Sequence, residues 1–464
     1  MEIIIPFTVV VLNALLLISI TDAVSQNAEK LVLSQLLWRH GDRSPTTLFP
    51  TYSHPAAVVW PMGLGALTRR GMQQHFLLGK ELRKKFRGYL NETHFSKEIS
   101  VWSTDFDRTL MSAQMNMAGL YGRVTETEFG NSSVRFSQPV PIHTETTGIL
   151  LSGKGCPAYE LERFNVMKRS DLARSNRVEN GSLIDSIQFQ SGNVSLKMNR
   201  IADAVFCSDQ HGISLPSWIA SNETIKDYLN YNYENLAPRL FMYSDKLIKL
   251  GGGPLLSSLI ERMTEKVAGS LTQIVIAYSA HDVTVMALLA ALGVFDEKQP
   301  FYASMVSLDL YRKSRIESAE RAYDLSDYFV VVNYLRGALR PDISKAETLI
   351  IPGCASHCPL DAFSRLVADN IPDDLIEECD GPNSKSASNA LARDSMILTL
   401  SMIIALLVAV LFFASVFFLV RQRRLRGHLP TARFSLMADE AENEATLPLT
   451  SHYDDGDLYG YNSG

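Results

Sequence analysis

Met396 to Val420 is a run of 25 residues without a charged side chain. As a helix it is long enough to cross the ~30 Å hydrocarbon core of a bilayer. Arg421-Gln-Arg-Arg-Leu-Arg426 follows at once, so four arginines stand on its C-terminal side. Cytosolic flanks of membrane spans are enriched in such cations. The pattern predicts a single-pass type I membrane protein with a transmembrane helix over 396–420 and a cytosolic tail over 421–464. Everything that can fold into a domain then lies before the span, in a lumenal or extracellular space. A second apolar stretch, Ile3 to Ile20, is followed by the small residues Thr21 and Ala23, which predicts a signal peptide over 1–23. Its only early charge is Glu2 rather than a basic flank, so an uncleaved anchor is the alternative.

Two further features agree with that topology. N-glycosylation sequons stand at Asn91, Asn131, Asn180, Asn193 and Asn222, and none lies in the tail. All five cysteines precede the span, in a compartment where disulfides form. An odd count leaves at least one thiol unpaired within the monomer. Cys354-Ala-Ser-His-Cys358 reads as a short disulfide loop rather than a zinc corner, because no second Cys/His pair stands at zinc-site spacing.

Residues 28–390 carry the folded part. Hydrophobic content of 46% with 20% charge supports a full core and excludes disorder over most of the chain. A net charge of −6 argues against nucleic acid as a partner. Leu31–Trp38 is an apolar run of strand length that stops abruptly at Arg39-His-Gly-Asp-Arg-Ser-Pro45. Ile99–Ser103 reads as a second strand, leading to a helix that Asp107 caps and that runs through Gly119. Gln273–Tyr278 reads as a third, passing through Ser279-Ala-His-Asp282 into a helix that ends near Gly293. Strands closely followed by helices predict an α/β fold with a largely parallel central sheet and flanking helices. Residues 130–235 are polar and Asn/Ser-rich, and read as an inserted, mostly helical cap. Ala387–Arg393 reads as a polar stalk.

In open parallel sheets ligands bind beyond the carboxyl ends of the strands. Two of the three apolar runs end there in reactive side chains: Arg39, His40 and Arg43 after the first, His281 and Asp282 after the third. Forked guanidiniums beside an imidazole suit a tetrahedral oxyanion such as phosphate. A histidine among cations has a depressed pKa and stays neutral and nucleophilic in mild acid. A protonated Asp beside it can donate to a leaving alkoxide. The competing reading of Arg-His-Gly-Asp-Arg is an exposed charged turn in which the Asp pairs with an Arg.

Leu37-Trp-Arg-His-Gly-Asp-Arg-Ser-Pro45 resembles the signature of the histidine acid phosphatases, and Tyr278-Ser-Ala-His-Asp282 is similar to their second one. Ser103-Thr-Asp-Phe-Asp-Arg-Thr109, Leu215-Pro-Ser-Trp218, Gly252-Gly253 and Leu349-Ile-Ile-Pro-Gly-Cys354 extend the likeness over the lumenal part. With its span and tail the chain looks most like the branch that holds the membrane-anchored lysosomal and the secreted prostatic enzymes. The resemblance implies a histidine phosphatase fold and hydrolysis of phosphate monoesters without metal or cofactor. It implies that His40 forms a phosphohistidine, that Arg39, Arg43 and His281 hold the phosphate, and that Asp282 protonates the leaving group. It also implies a homodimer, and a lysosomal or plasma-membrane location.

The same resemblance implies disulfides Cys156–Cys379 and Cys354–Cys358. Cys207 matches half of a third family pair, whose partner position is Met305 here. In Val101-Trp-Ser-Thr-Asp105, Trp102 stands where the family is expected to carry a further phosphate-binding arginine, and Arg108 matches a separate family arginine. A weakened phosphate site would turn the chain toward lipid, sugar or inositol phosphates, or leave a weakly active binding ectodomain.

Overall fold

Lys30–Arg39 forms β1, and its residues are buried on both faces, with Leu33, Leu36, Leu37 and Trp38 at most 1% exposed. A strand so apolar on both faces belongs in the middle of a sheet covered on each side. It pairs in parallel with β6 (Val275–Ala280), from Ser34 opposite Val275 to Arg39 opposite Ala280. On its other edge it runs antiparallel to β7 (Met305–Arg312). The computed structural model describes residues 29–122, 124–129, 132–313, 324–337, 339–381 and 384–426. The predicted signal peptide over 1–23, the sequon at Asn131 and the tail beyond Arg426 lie outside them.

β2 (Ile99–Ser103) continues the sheet in parallel with β6, and β5 (His143–Thr144) pairs in parallel with β2. β8 (Tyr328–Leu335) runs antiparallel to β7, and β9 (Glu347–Leu349) and β10 (Cys358–Pro359) run antiparallel to β8. The parallel sheet expected from the sequence is therefore the half that holds β1, β6, β2 and β5, and the other half is antiparallel. β3 (Val124–Phe129) and β4 (Ser132–Ser137) form a separate hairpin.

Helices α1 (Arg69–Lys85) and α2 (Asp107–Leu120) cover one face with Leu78, Leu82, Met117 and Leu120. They approach closely at Gly79 and Gly119, where an added Cβ would stand 2.0 Å from Asn116 O and from Phe76 O. Asp107 is the first helical residue of α2 rather than its cap, which is Phe106. Between β5 and β6 come α3 (Pro157–Arg169), α4 (Asp171–Gln190), α5 (Met198–His211), α6 (Glu223–Tyr231) and α7 (Asp245–Val267). The insertion expected over 130–235 starts its helices only at Pro157, because β4 and β5 take up the preceding chain. α8 (Asp282–Ala291) and α9 (Leu360–Leu366) pack with α7 on the opposite face. Cys156 at the start of α3 is bonded to Cys379 in α10 (Leu375–Asp380), and Cys354 to Cys358. Cys207 is buried and unpaired.

The chain divides into two compact units, residues 1–388 and 389–464. The helix α11 (Ser384–Arg426) contains Leu400–Arg423, 24 residues whose most apolar 18-residue stretch has a mean hydropathy of 3.2 and no buried residue. Among the described residues it is the one helix long and apolar enough to cross a membrane. The expected stalk Ala387–Arg393 is helical and belongs to α11.

Candidate active site

The three strands read from the sequence are β1, β6 and β2, adjacent and parallel, so their carboxyl ends meet. His40 N donates to Ala280 O at 3.0 Å, joining the two signature loops. Gly41 lies against Gly71 of α1, where an added Cβ would be 2.4 Å from the Gly71 carbonyl. Only glycine fits there. Gly41 N donates to Ser112 Oγ at 3.1 Å and Asp42 N to Gln74 Oε1 at 2.8 Å, which pins the loop to both α1 and α2. Asp42 Oδ2 accepts from Thr68 Oγ1 at 2.5 Å and contacts His211 Nε2 at 2.6 Å. The exposed-turn reading is overturned: Arg39 to Arg43 are all buried, and Asp42 pairs with His211 rather than with an arginine.

His40 is 1% exposed, and its Nδ1–H donates to the Gly41 carbonyl at 2.8 Å. That bond leaves Nε2 as the lone-pair nitrogen. Burial, and then Arg39, Arg43, Arg108 and His281, hold the imidazole pKa well below its usual value. His281 is held down to about 3 by burial and then Arg108. Its Nδ1 accepts from Arg108 Nη2 at 3.3 Å, and its Nε2 contacts Thr104 Oγ1 at 3.0 Å. Both imidazoles are neutral throughout mild acid.

Arg43 is gripped by Asp203 of α5 through Nη1–Oδ2 at 3.2 Å and Nη2–Oδ1 at 2.8 Å. Arg39 is wholly buried, with Nη1 on Pro300 O at 2.5 Å, Nη2 on Tyr233 OH at 3.2 Å and on Asp282 Oδ2 at 2.9 Å. Tyr233 sits in a π-helical turn, Asn232–Leu236, a distortion common at functional sites. Asp282 also accepts from Gln299 Nε2 at 2.7 Å. Burial raises the Asp282 pKa, but Arg39, Arg43 and His281 together outweigh burial and lower it to about 2. Asp282 is thus an ion-paired carboxylate here, not the protonated acid expected from the sequence, because the cations that would hold phosphate also hold it.

His40, Arg43, His281 and Asp282 line one cavity of about 430 Å³, and Arg39 touches it through Asp282. Arg108 lines the same cavity. Burial first, and then Arg43, lowers its pKa to about 10, with no carboxylate in contact among the described residues. The Nε–H groups of Arg39, Arg43 and Arg108 are all buried without an acceptor among the described residues. Buried donors of this kind are rare unless something accepts from them. Arg43 and Arg108 line the cavity with the neutral His40, and Arg39 acts on that imidazole from behind it, so the site is strongly cationic and suits an oxyanion.

Trp102 is not part of this receptor. Trp102 alternates off the buried Val101/Ser103 face of β2 and lines a different cavity of about 780 Å³, its ring 5.0 Å from that of His143. The expectation that Trp102 stands in the phosphate shell is therefore corrected, since the guanidinium that lies in the cavity with His40 is that of Arg108, the second residue of α2. The alternatives built on a weakened site lose their basis. Sequence reasoning also missed Asp203, Tyr233 and Gln299, whose partners are 160, 194 and 17 residues away. Cys207 lies 3.8 Å from Arg43 Nη1, and burial pushes its thiol up to about 12. Of the described sequons, Asn91, Asn193 and Asn222 are exposed, and Asn180 is half-buried within α4.

The fold and the paired signature loops define a phosphate-handling hydrolase class, and comparison with known proteins gives it a family. Residues 30–320 match the histidine phosphatase superfamily (branch 2). Lysosomal acid phosphatase of Bos taurus is 35% identical over 389 residues, covering 81% of this chain and 87% of that protein. Prostatic acid phosphatase of Homo sapiens is 31% identical, covering 77% and 90%. The phytase of Citrobacter braakii shares the fold, with a TM-score of 0.55 at 17% identity over 75% of this chain and 99% of that one. The chain belongs to the histidine phosphatase superfamily.

Proposed function

We propose that this protein is an acid phosphatase that hydrolyses phosphate monoesters through a phosphohistidine on His40. The observation that carries the reading is the neutral, buried His40 in one cavity with Arg43, Arg108, His281 and Asp282. His40 Nε2 attacks phosphorus, the N–P bond forms, and the ester P–O bond breaks. The leaving oxygen takes a proton from Asp282. A water then attacks the phosphohistidine, Asp282 takes its proton, the N–P bond breaks, and His40 regains its lone pair. Arg39, Arg43, Arg108 and His281 stabilise the charge spread over the transferring phosphoryl oxygens.

Asp282 gains its proton from the substrate. A phosphate monoester has its second pKa near ~6, so in mild acid it arrives as a protonated monoanion. Once the arginines grip the phosphoryl group their charge is shared, and the proton moves to Asp282. Acid activity follows from that chemistry.

The anchored arrangement is read the same way: a cleaved signal peptide, a glycosylated lumenal domain, one span and a cytosolic tail, with the relatives named lysosomal acid phosphatase supporting the lysosome as its place. Location at the plasma membrane is the alternative. A homodimer follows from the resemblance. Full-length protein in detergent should release phosphate from a chromogenic aryl phosphate at pH 5, and no release there would overturn the reading. Glycosidase sensitivity of the sequons in intact vesicles, and the mass of the detergent-solubilised particle, test topology and dimer separately.

A further inference from the structure

The catalytic cavity carries one guanidinium that the phosphate does not need. Arg43 is paired with Asp203 and Asp282 with Arg39, while Arg163 gives both Nε and Nη2 to Glu160 Oε2, at 3.1 and 2.7 Å. Arg108 contacts His281 and belongs to the phosphate receptor. Arg200 of α5 also lines the cavity, is exposed, and has no carboxylate partner among the described residues. Its Nη1 donates to Thr46 Oγ1 at 2.6 Å. Thr46 Oγ1 donates to Asp203 Oδ2 at 3.1 Å, and that oxygen accepts from Arg43 Nη1 at 3.2 Å. Three contacts in series thus link the phosphate-facing guanidinium to a second one on the rim, a reach that one aromatic ring and a substituent span. Phe106 adds an aromatic edge beside that path, the Arg108 guanidinium lying over its ring at 4.8 Å. It lines the cavity, meets the His281 ring edge-on at 5.0 Å, and is itself 40% exposed.

We infer that Arg200 selects the leaving group, and that the preferred substrates are aryl phosphomonoesters bearing a second anionic group at the end of the ring away from phosphorus. The inference rests on the phosphatase reading above and adds a substrate class to it. With Nη1 held by Thr46, the remaining N–H groups of Arg200 can take a carboxylate or a second phosphate as a forked pair. Because Arg200 is exposed, the preference is several-fold rather than orders of magnitude, and added salt weakens it. Arg163 gives no equivalent selection, since Glu160 neutralises it.

The test uses full-length protein in detergent and kcat/KM for three esters: phenyl phosphate, 4-carboxyphenyl phosphate and 4-(aminomethyl)phenyl phosphate. Ratios compared between wild type and Arg200 variants cancel each ester's intrinsic reactivity. The anionic-to-cationic ratio should fall about three-fold in Arg200→Gln and about ten-fold in Arg200→Glu. Arg200→Lys should keep most of it. A ratio in Arg200→Glu equal to wild type overturns the inference, even with all three esters hydrolysed. If wild type hydrolyses none of them, the phosphatase reading has failed and this inference falls with it.

Discussion

Arg39 Nη2 stands 2.9 Å from Asp282 Oδ2, an ion pair between the last residue of β1 and the first of α8. It ties the end of β1, next to His40, to the start of α8. Against burial, which raises it, this pair together with Arg43 and His281 lowers the Asp282 pKa to about 2, so on the proposed mechanism its proton comes with the substrate. The alkaline limb of kcat/KM should therefore track the second pKa of the ester, near ~6, with activity higher on the acid side. An ester whose second ionisation is one unit lower should move the limb down by about one unit. A limb that does not move would belong to a group on the protein.

Asp282→Asn removes the donor and leaves Arg39 buried without its counter-charge. Alkyl phosphates need a protonated leaving group and should lose about 10²–10⁴ in kcat. Aryl phosphates leave as stable phenolates and should lose far less. Equal losses on the two classes would sink the proton-donor role of Asp282.

His40 holds no core together: its Nδ1 bond goes to the neighbouring Gly41 carbonyl and its side chain lines the cavity. His40→Ala should fold normally and lose at least about 10³-fold in turnover. Brief exposure of wild type to labelled ester, quenched in alkali, should leave acid-labile phosphate on His40. Label on any other residue would refute the covalent step.

Asp203 is 5% exposed and gives Arg43 its only carboxylate contact among the described residues. Burial raises the Asp203 pKa, but Arg43 outweighs it and the value is lowered. A lowered carboxylate pKa contributes stability that is present above its unfolded value and lost as pH falls through the folded one. The pair thus persists in mild acid. Asp203→Asn strands a buried guanidinium and should cost about 3–5 kcal/mol at pH 5, read as a lower melting temperature. A melting temperature equal to wild type would mean that Arg43 is held by other contacts.

What could be read in the sequence was whatever lay contiguous along it. The runs at Leu31–Trp38, Ile99–Ser103 and Gln273–Tyr278 announced β1, β2 and β6 by their apolar content. Two of them announced the site by ending in charge. β7 and β8 form the antiparallel half of the sheet through Met305–Leu335 pairing, and their register is decided between strands rather than within either one. Asp203 looks like any polar residue of an amphipathic helix until α5 folds over Arg43. Trp102 and Arg108 show the limit most plainly. Position in a motif does not say which face of a strand a side chain takes, and the pleat sends Trp102 away from the phosphate.

That placement makes the final prediction sharp. Arg108 lies in the cavity with His40, while Trp102 lies beside His143 in another. Arg108→Ala removes one preorganised donor from the oxyanion receptor and should cost about 10²–10³ in kcat. It should also weaken inhibition by inorganic phosphate, because one of the guanidiniums lining the cavity with His40 disappears. Trp102→Arg should change neither quantity, since a guanidinium introduced there enters the second cavity, which already holds Arg262. Its effect should appear in stability instead, through lost packing of the half-buried indole against the main core. Phosphate inhibition constants and melting curves of the two variants, measured side by side, separate these outcomes. Tighter phosphate binding in Trp102→Arg would return that position to the phosphate shell and overturn the assignment of Arg108 as its guanidinium.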